Sequence, residues 1–261
     1  MGNIILRESA SELRTMARQV LKDNWVNVSI GLFIYLLMSS GIQTLLQIIP
    51  VWQYTYTDPN TNMEFSYSGI QSIYQFLTNG ALRLGLAAYL LTLMRTRQEK
   101  KDLLLYGFMN FVPAFLLGFF VSLFTGLWML LFIVPGIIAM YRYSQSFYIL
   151  YDNPGMGPLE CIKASKFMTN GNKAAIFVTN LSFIGWAIVA GLLQSIVSSA
   201  MVIGSITLNP VINWVISMVC QIPMAIFMAY YMTTNVVMYE IMSGHLYRPE
   251  PQPFGNPYTG V

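Results

Sequence analysis

The chain has 261 residues, of which 55% are hydrophobic and 10% charged, with a net charge of +3 and a mean hydropathy of +0.54. Soluble domains carry about 25% charged residues, so this chain has too few charges to cover a water-facing surface, and the solvent that it matches is lipid. Cys161 and Cys220 are far apart, neither sits in a Cys-x-x-Cys motif, and a lone His245 makes no metal set, which argues against a disulfide framework, a zinc site or any resident cofactor.

In chain order, residues 1–24 read as a basic amphipathic interfacial helix. Ser9 and Glu12 form a capping-box pattern, Leu13, Met16, Ala17, Val20 and Leu21 keep helical spacing, and Arg7, Arg14, Arg18 and Lys22 decorate the rest. No cleavable signal peptide is read here, because no continuous apolar h-region occurs. A bilayer core of about 30 Å needs roughly 20 apolar residues, which 25–49 supplies, and six spans are read within 25–245: 25–49, 73–94, 111–134, 137–151, 174–200 and 211–239. Asn79-Gly80 and Arg83 interrupt the second, Pro135-Gly136 separates the third from the fourth, and Pro223 is placed to kink the sixth. The 51–69 loop is polar and aromatic and contains no Lys or Arg. The proline-rich tail 246–261 is expected to be disordered.

Val134 to Lys173 organises the whole. It contains a short apolar segment with Arg142 inside it, a turn at Asp152-Asn153-Pro154-Gly155, an amphipathic segment beginning at Pro158 and a stop at Gly171. In that segment Leu159, Ile162, Ser165 and Met168 can share one face, a pattern that suits a helix lying on a membrane surface.

The basic residues fix an orientation. Arg7, Arg14, Arg18 and Lys22 precede span one; Arg95, Arg97, Lys100 and Lys101 follow span two; Lys163, Lys166 and Lys173 follow span four; Arg248 follows span six. The intervening loops on the other side hold none, so the positive-inside rule places both termini in the cytoplasm. The expected fold is all-α: a polytopic membrane protein with six transmembrane helices in three hairpins, plus amphipathic interfacial helices. ARQVLKDNW, KKDLLLYGFMNF and IKASKFMTNGNK each stand before an outward span and end near an Asn, which fits either a threefold repeat of hairpins or the ordinary alternation of any six-helix protein. The small residues of spans five and six, Gly185, Ala187, Ala190, Gly191, Ser195, Ser198 and Ser199, suit close helix contacts.

The run from Pro135 to Lys173, with PGIIAMYRYS, YILYDNP and LECIKASKFMTNGNK, resembles bacterial integral membrane proteins of domain-of-unknown-function family 975, and ARQVLKDNW is similar to that family too. The resemblance covers about residues 10 to 245. It implies a bacterial multi-pass protein of the cell membrane and carries no established activity. More loosely, the segment is similar to the membrane domain attached to some glycerophosphodiester phosphodiesterases, but no catalytic domain accompanies it here.

There is no Gly-x-Ser-x-Gly elbow, P-loop or His-Glu-x-x-His, and no Asp or Glu at mid-span, so an enzyme is not expected. Glu240 is expected to face water and Asp152 to cap a turn. Arg83 and Arg142 are the anomalies. An intramembrane arginine costs at least about 3 kcal/mol on insertion scales, and no carboxylate stands at their depth. Either they bond carbonyls of broken helices or snorkel to a headgroup, or they form, with Tyr141, Tyr143 and Gln145, a site for an anionic lipid headgroup or solute. The expected work is non-enzymatic: assisting transport or export, or protecting the envelope against membrane-active peptides. A stand-alone small transporter and a structural partner subunit are the rival readings. The expected partners are membrane lipids, other membrane proteins or a transport ATPase, and no nucleic acid. The orientation predicts that, in a cysteine-free background, a cysteine at Asn60 reacts with an impermeant reagent on intact cells and one at Gln98 does not; the reverse labelling contradicts it.

Overall fold

The computed structural model describes residues 4–46, 49, 52–59, 64–203 and 210–246; the expected disordered tail lies almost wholly outside them. Helices dominate. Helix α1 (Ala10–Leu21) starts where the capping pattern places it: the Glu12 N–H donates to Ser9 Oγ, and the Glu12 carboxylate accepts the Ser9 N–H at 2.8 Å. Its apolar stripe, Leu13, Ala17, Val20 and Leu21, is buried within the protein. Helix α2 (Trp25–Leu46) carries one widened turn over Leu37–Gly41. There the Ser39 and Ser40 hydroxyls donate to the Leu36 carbonyl, competing with the backbone ladder. The Gly41 carbonyl accepts the Trp214 indole N–H at 2.8 Å.

The loop after α2 is more ordered than its composition suggests. Gln53–Thr57 (β1) and Glu64–Ser68 (β2) form an antiparallel hairpin in which Gln53 faces Ser68 and Thr57 faces Glu64. Helix α3 (Gly69–Thr96) follows and is the centre of the molecule, with 67% of its most apolar stretch buried. It packs on a helix on every side: α4 (Phe111–Leu131), α6 (Ser146–Asp152) and α11 (Ile222–Ser243).

The expected interruption at Asn79-Gly80 does not occur: α3 runs through it unbroken. Gly80 instead lets two backbones meet. A Cβ there would strike the Ala114 carbonyl, one at Gly107 the Ala81 carbonyl, and one at Gly85 the Leu104 carbonyl, while one at Gly118 would lie 2.8 Å from the Gly80 Cα. Close helix contact is thus built between α3 and the Leu104–Gly118 region. Gly185 and Gly191, where it was expected, have no atom within 4 Å of an added Cβ.

Three proline residues cut the chain by one rule. A helical proline clashes with the carbonyl four residues earlier. Pro113, Pro135 and Pro223 each stand four residues after the last residue of a helix, namely Met109, Leu131 and Val219. The third and fourth spans are therefore parted at Phe132, whose backbone is extended, and Pro135 falls in the first turn of α5 (Ile133–Tyr143). The expected continuous 137–151 span is itself two pieces, α5 and α6, separated at Ser144-Gln145. The surrounding helices are α7 (Pro158–Met168), α8 (Lys173–Leu181), α9 (Ile184–Ile203) and α10 (Pro210–Val219). Helices α8 and α9 bend by 41°, and α10 and α11 by 42°. By length and composition three helices can cross a membrane, α2, α3 and α4, or five if each bent pair is one span.

On α7 the buried face holds Cys161, Ile162, Ser165 and Met168 and rests on α4 and α6, whereas Leu159, expected on that face, is exposed. Asn24, Asn110 and Asn172 each stand one residue ahead of a helix, α2, α4 and α8. Asn110 and Asn172 both donate Nδ2 to the carbonyl four residues back. Asn172 also clips the N-terminus, accepting from Leu6 N–H and donating to the Ile4 carbonyl at 2.8 Å each. At the α4–α5 turn Leu130, Phe132 and Ile133 are 85%, 72% and 75% exposed, a contiguous apolar surface of the kind that marks a partner or membrane contact.

Because backbone atoms cannot rotate away from an added methyl group, Gly80→Val is expected to lower stability by at least about 2 kcal/mol, as overpacking does. Gly185→Ala is expected to be neutral or to stabilise by about 0.5–1 kcal/mol through helix propensity. Unfolding of both variants in one detergent checks the pair.

Candidate functional site

Four of the five residues singled out from the sequence line one cavity. Arg83, Tyr141, Tyr143 and Gln145 stand around a space of about 570 Å³, within the usual range of ligand pockets, about 300–1,000 Å³. Arg83 enters from α3, Tyr141 and Tyr143 from α5, and Gln145 from the break between α5 and α6. Helix α4 adds Ser122 and Thr125, α8 adds Asn180, and α11 adds Tyr231 and Asn235.

Arg142 does not line this cavity. Successive residues on a helix turn by about 100°, so Met140, Tyr141, Tyr143 and Ser144, which do line it, occupy one half of the α5 circumference and Arg142 the opposite half. Arg142 is half-buried, and its carbonyl accepts from Ser165 Oγ of α7 at 2.7 Å. Its Nε is enclosed with no hydrogen-bond partner. The expected arginine pair is therefore split, and only Arg83 reaches the cavity.

The Arg83 guanidinium lies over the Phe147 ring at 5.9 Å. Among the described residues no Asp or Glu lines the cavity, and Arg83 makes no ion pair. Gln145 is fully buried. Its Nε2 donates to Ser144 Oγ at 2.8 Å and its backbone N–H to Ser165 Oγ at 3.3 Å, while its Oε1 has no partner. Asn180 Oδ1 is enclosed and likewise unpartnered. One cation and two residues with unsatisfied amide oxygens thus share a wall completed by tyrosine, methionine, aliphatic, Phe147 and hydroxyl or amide side chains. Such an arrangement can hold and orient a polar group.

A second polar cluster closes one end of the bundle. Arg95, in the last turn of α3, grips Asp152 at the end of α6 with two bonds, Nη1 to Oδ1 at 2.7 Å and Nη2 to Oδ2 at 2.9 Å. It also donates to Glu240 Oε1 of α11, from Nε at 2.9 Å and Nη2 at 2.6 Å. Tyr239 donates its hydroxyl to Asp152 Oδ2 at 2.7 Å, and His245 Nδ1 stands 3.2 Å from Arg95 Nη2. Glu240, expected to face water, is 3% exposed; Asp152, expected only to cap a turn, is an ion-pair partner. Nearby, Arg97 donates Nη1 to the Gln19 and Val20 carbonyls at the C-terminus of α1, where a cation is favoured by the helix dipole. Burial alone would push the Asp152 carboxyl up; the bonds from Arg95 and Tyr239 more than offset that and hold it below its ordinary value.

A signal for this cluster was present in the sequence, since the three return helices end in one cation and two anions. Asn235 within an apolar span was a signal for the cavity. Tyr35 and Tyr148, which also line it, had none.

These elements define a largely helical protein whose long apolar helices are compatible with a multi-pass membrane protein, with a cation-bearing cavity among them. The chain belongs to the family described as protein of unknown function DUF975, whose model matches residues 1–141 and again 130–245. No curated protein and no solved structure matches it.

Removing Arg95 strands a buried carboxylate, so Arg95→Met is expected to cost about 3–5 kcal/mol. A carboxyl with a depressed folded-state pKa contributes stability that is present above its unfolded value, about 3.9, and is lost as pH falls through the folded value. The melting temperature should therefore drop on acidification below about pH 4, and Asp152→Asn should start lower and show a flatter acid limb.

Proposed function

We propose that this protein is a non-enzymatic, six-span integral protein of the bacterial cell membrane that holds an anionic group, a lipid headgroup or a solute, against Arg83. The observation that carries the reading is a guanidinium opening into a cavity that no carboxylate lines among the described residues. An unpaired cation among apolar helices is costly, and an anion that completes its hydrogen bonds offsets that cost. Tyr141, Tyr143 and Gln145 shape the same space, and Arg142 stands outside it.

The cluster at the bundle end supports the reading of six crossings. Helix α4, 21 residues long, carries the chain about 30 Å away from the Arg95 end, yet Asp152 is back in contact with Arg95. A return through the α5–α6 pair supports reading that pair as the fourth crossing. The three return legs end together at Arg95, Asp152 and Glu240, which supports three hairpins in one orientation. The Lys/Arg distribution makes that end cytoplasmic, with both termini beside it.

The role served is assistance to transport or export, or protection of the envelope. The stand-alone transporter is the second reading, favoured by one observation: the α5–α6 break at Ser144-Gln145 lies in the cavity wall, and broken helices at binding sites are a transporter device.

The test is anion binding by purified protein in detergent. Inorganic phosphate or a short-chain phosphatidic acid should bind the parent, and Arg83→Leu should weaken it at least ten-fold, since charge-assisted bonds are worth about 1.5–3 kcal/mol. Arg83→Lys should weaken it less. Among the described residues Arg83 has no ion pair to lose, so the Leu variant should keep its stability within about 1 kcal/mol, the scale of its contact with Phe147. Unchanged binding in Arg83→Leu overturns the reading.

A further inference from the structure

Resting on the anion-binding reading above, we infer that the ligand of this cavity is zwitterionic, an anionic group carried next to a primary ammonium, as in a phosphoethanolamine head. Arg83 accounts for half of the cavity's chemistry. The other half is a demand for donors. Gln145 is 0% exposed, and its Nε2 is committed to Ser144. Oε1 is thus left as an enclosed acceptor without a partner on a residue of the wall, and Asn180 Oδ1 is a second one. Buried acceptors are almost always satisfied, and one left bare forfeits its hydration for nothing. A simple anion makes this worse, because it brings more lone pairs toward two amide oxygens. A ligand with N–H donors answers it.

The protein does not supply such a donor from a second basic side chain. Apart from Arg83, no Lys, Arg or His lines the cavity among the described residues. Its tyrosines are suited to a cation instead. Tyr141, Tyr143 and Tyr148 line the same space, and aromatic faces attract ammonium groups. Tyr143 already carries one such contact, with Lys166 Nζ 5.4 Å from its ring centre.

Gln145 is also held in place before any ligand arrives. Its backbone N–H is bonded to Ser165 Oγ, which in turn donates to the Arg142 carbonyl, so helix α7 pins the break from behind. A pre-set acceptor loses little freedom on binding. The requirement for N–H, rather than positive charge alone, separates ethanolamine from choline: a primary ammonium donates three hydrogen bonds and a quaternary one donates none.

Lipid-bound and free forms of this head share the same chemistry, and one experiment distinguishes them. Native mass spectrometry of the detergent-solubilised protein would score phosphatidylethanolamine, phosphatidylcholine and phosphatidic acid, with glycerophosphoethanolamine and inorganic phosphate as soluble competitors. The parent is expected to bind phosphatidylethanolamine about ten-fold more tightly than phosphatidylcholine, the scale of one good hydrogen bond to a charged donor. Gln145→Met should erase that preference while phosphatidic acid still binds; Asn180→Leu reads the same effect from the other helix should the first variant fold poorly. Displacement by glycerophosphoethanolamine marks a soluble ligand, and resistance to it marks the lipid; either agrees with the inference. Equal binding of the two zwitterionic lipids by the parent, or a preference that survives both substitutions, overturns it and leaves the anion site standing. Failure of phosphate and phosphatidic acid to bind at all removes the anion reading as well.

Discussion

Arg95 binds two carboxylates at once, Asp152 on α6 and Glu240 on α11, and thereby joins the end of α3 to two helix ends that are 57 and 145 residues from it in the chain. The guanidinium fork is well shaped for this, because its donors lie in one plane and reach two acceptors without strain, which an ammonium on a flexible stem does not match. With Glu240 3% exposed and Asp152 10% exposed at the side chain, the charges are withdrawn from water far enough that each needs the others. Such a cluster adds less net stability than its short distances suggest, because desolvation offsets the attraction. Its contribution is register: it sets where α3, α6 and α11 end relative to one another, and everything between them inherits that level.

From that end the bundle is built in two manners. Between α3 and the Leu104–Gly118 region, glycine brings backbone against backbone, so these helices are fixed at near-minimal separation. Elsewhere the helices are interrupted and the pieces splay, by 41° between α8 and α9, where no proline stands, and by 42° between α10 and α11, at Pro223. The cavity at Arg83 lies beside α3, with α4, α5, α8 and α11 also contributing to its wall.

Much of this is legible in the sequence, and the failures have physical causes. Ser9 and Glu12 announce α1 because a capping box is local, and Arg83, Tyr141, Tyr143 and Gln145 are recognisable because polar groups in apolar runs stand out. Gly80 is ambiguous because a glycine in a helix has two uses, to break it or to let a neighbour approach, and only the neighbour decides. Arg142 groups with Arg83 in the sequence because both are charges in apolar segments; which half of a helix faces a cavity depends on packing that no single segment records. Asp152 and Glu240 look solvated for the same reason, since their partner lies on another helix. The β-hairpin has a signal, the alternation in QYTYT and EFSYS, that composition alone conceals.

Three helix ends are joined at Arg95, and a cavity lined by Arg83 and Gln145 lies beside α3. An experimental structure of the protein purified in its native lipids tests this most directly. The expected result is the Arg95–Asp152–Glu240 contacts intact and density of a headgroup or small solute in the cavity, with an anionic part against Arg83 and a donor against Gln145 Oε1. A structure in which α4 and α5 close over the cavity, or in which Arg83 pairs with a carboxylate of the protein itself, would contradict it.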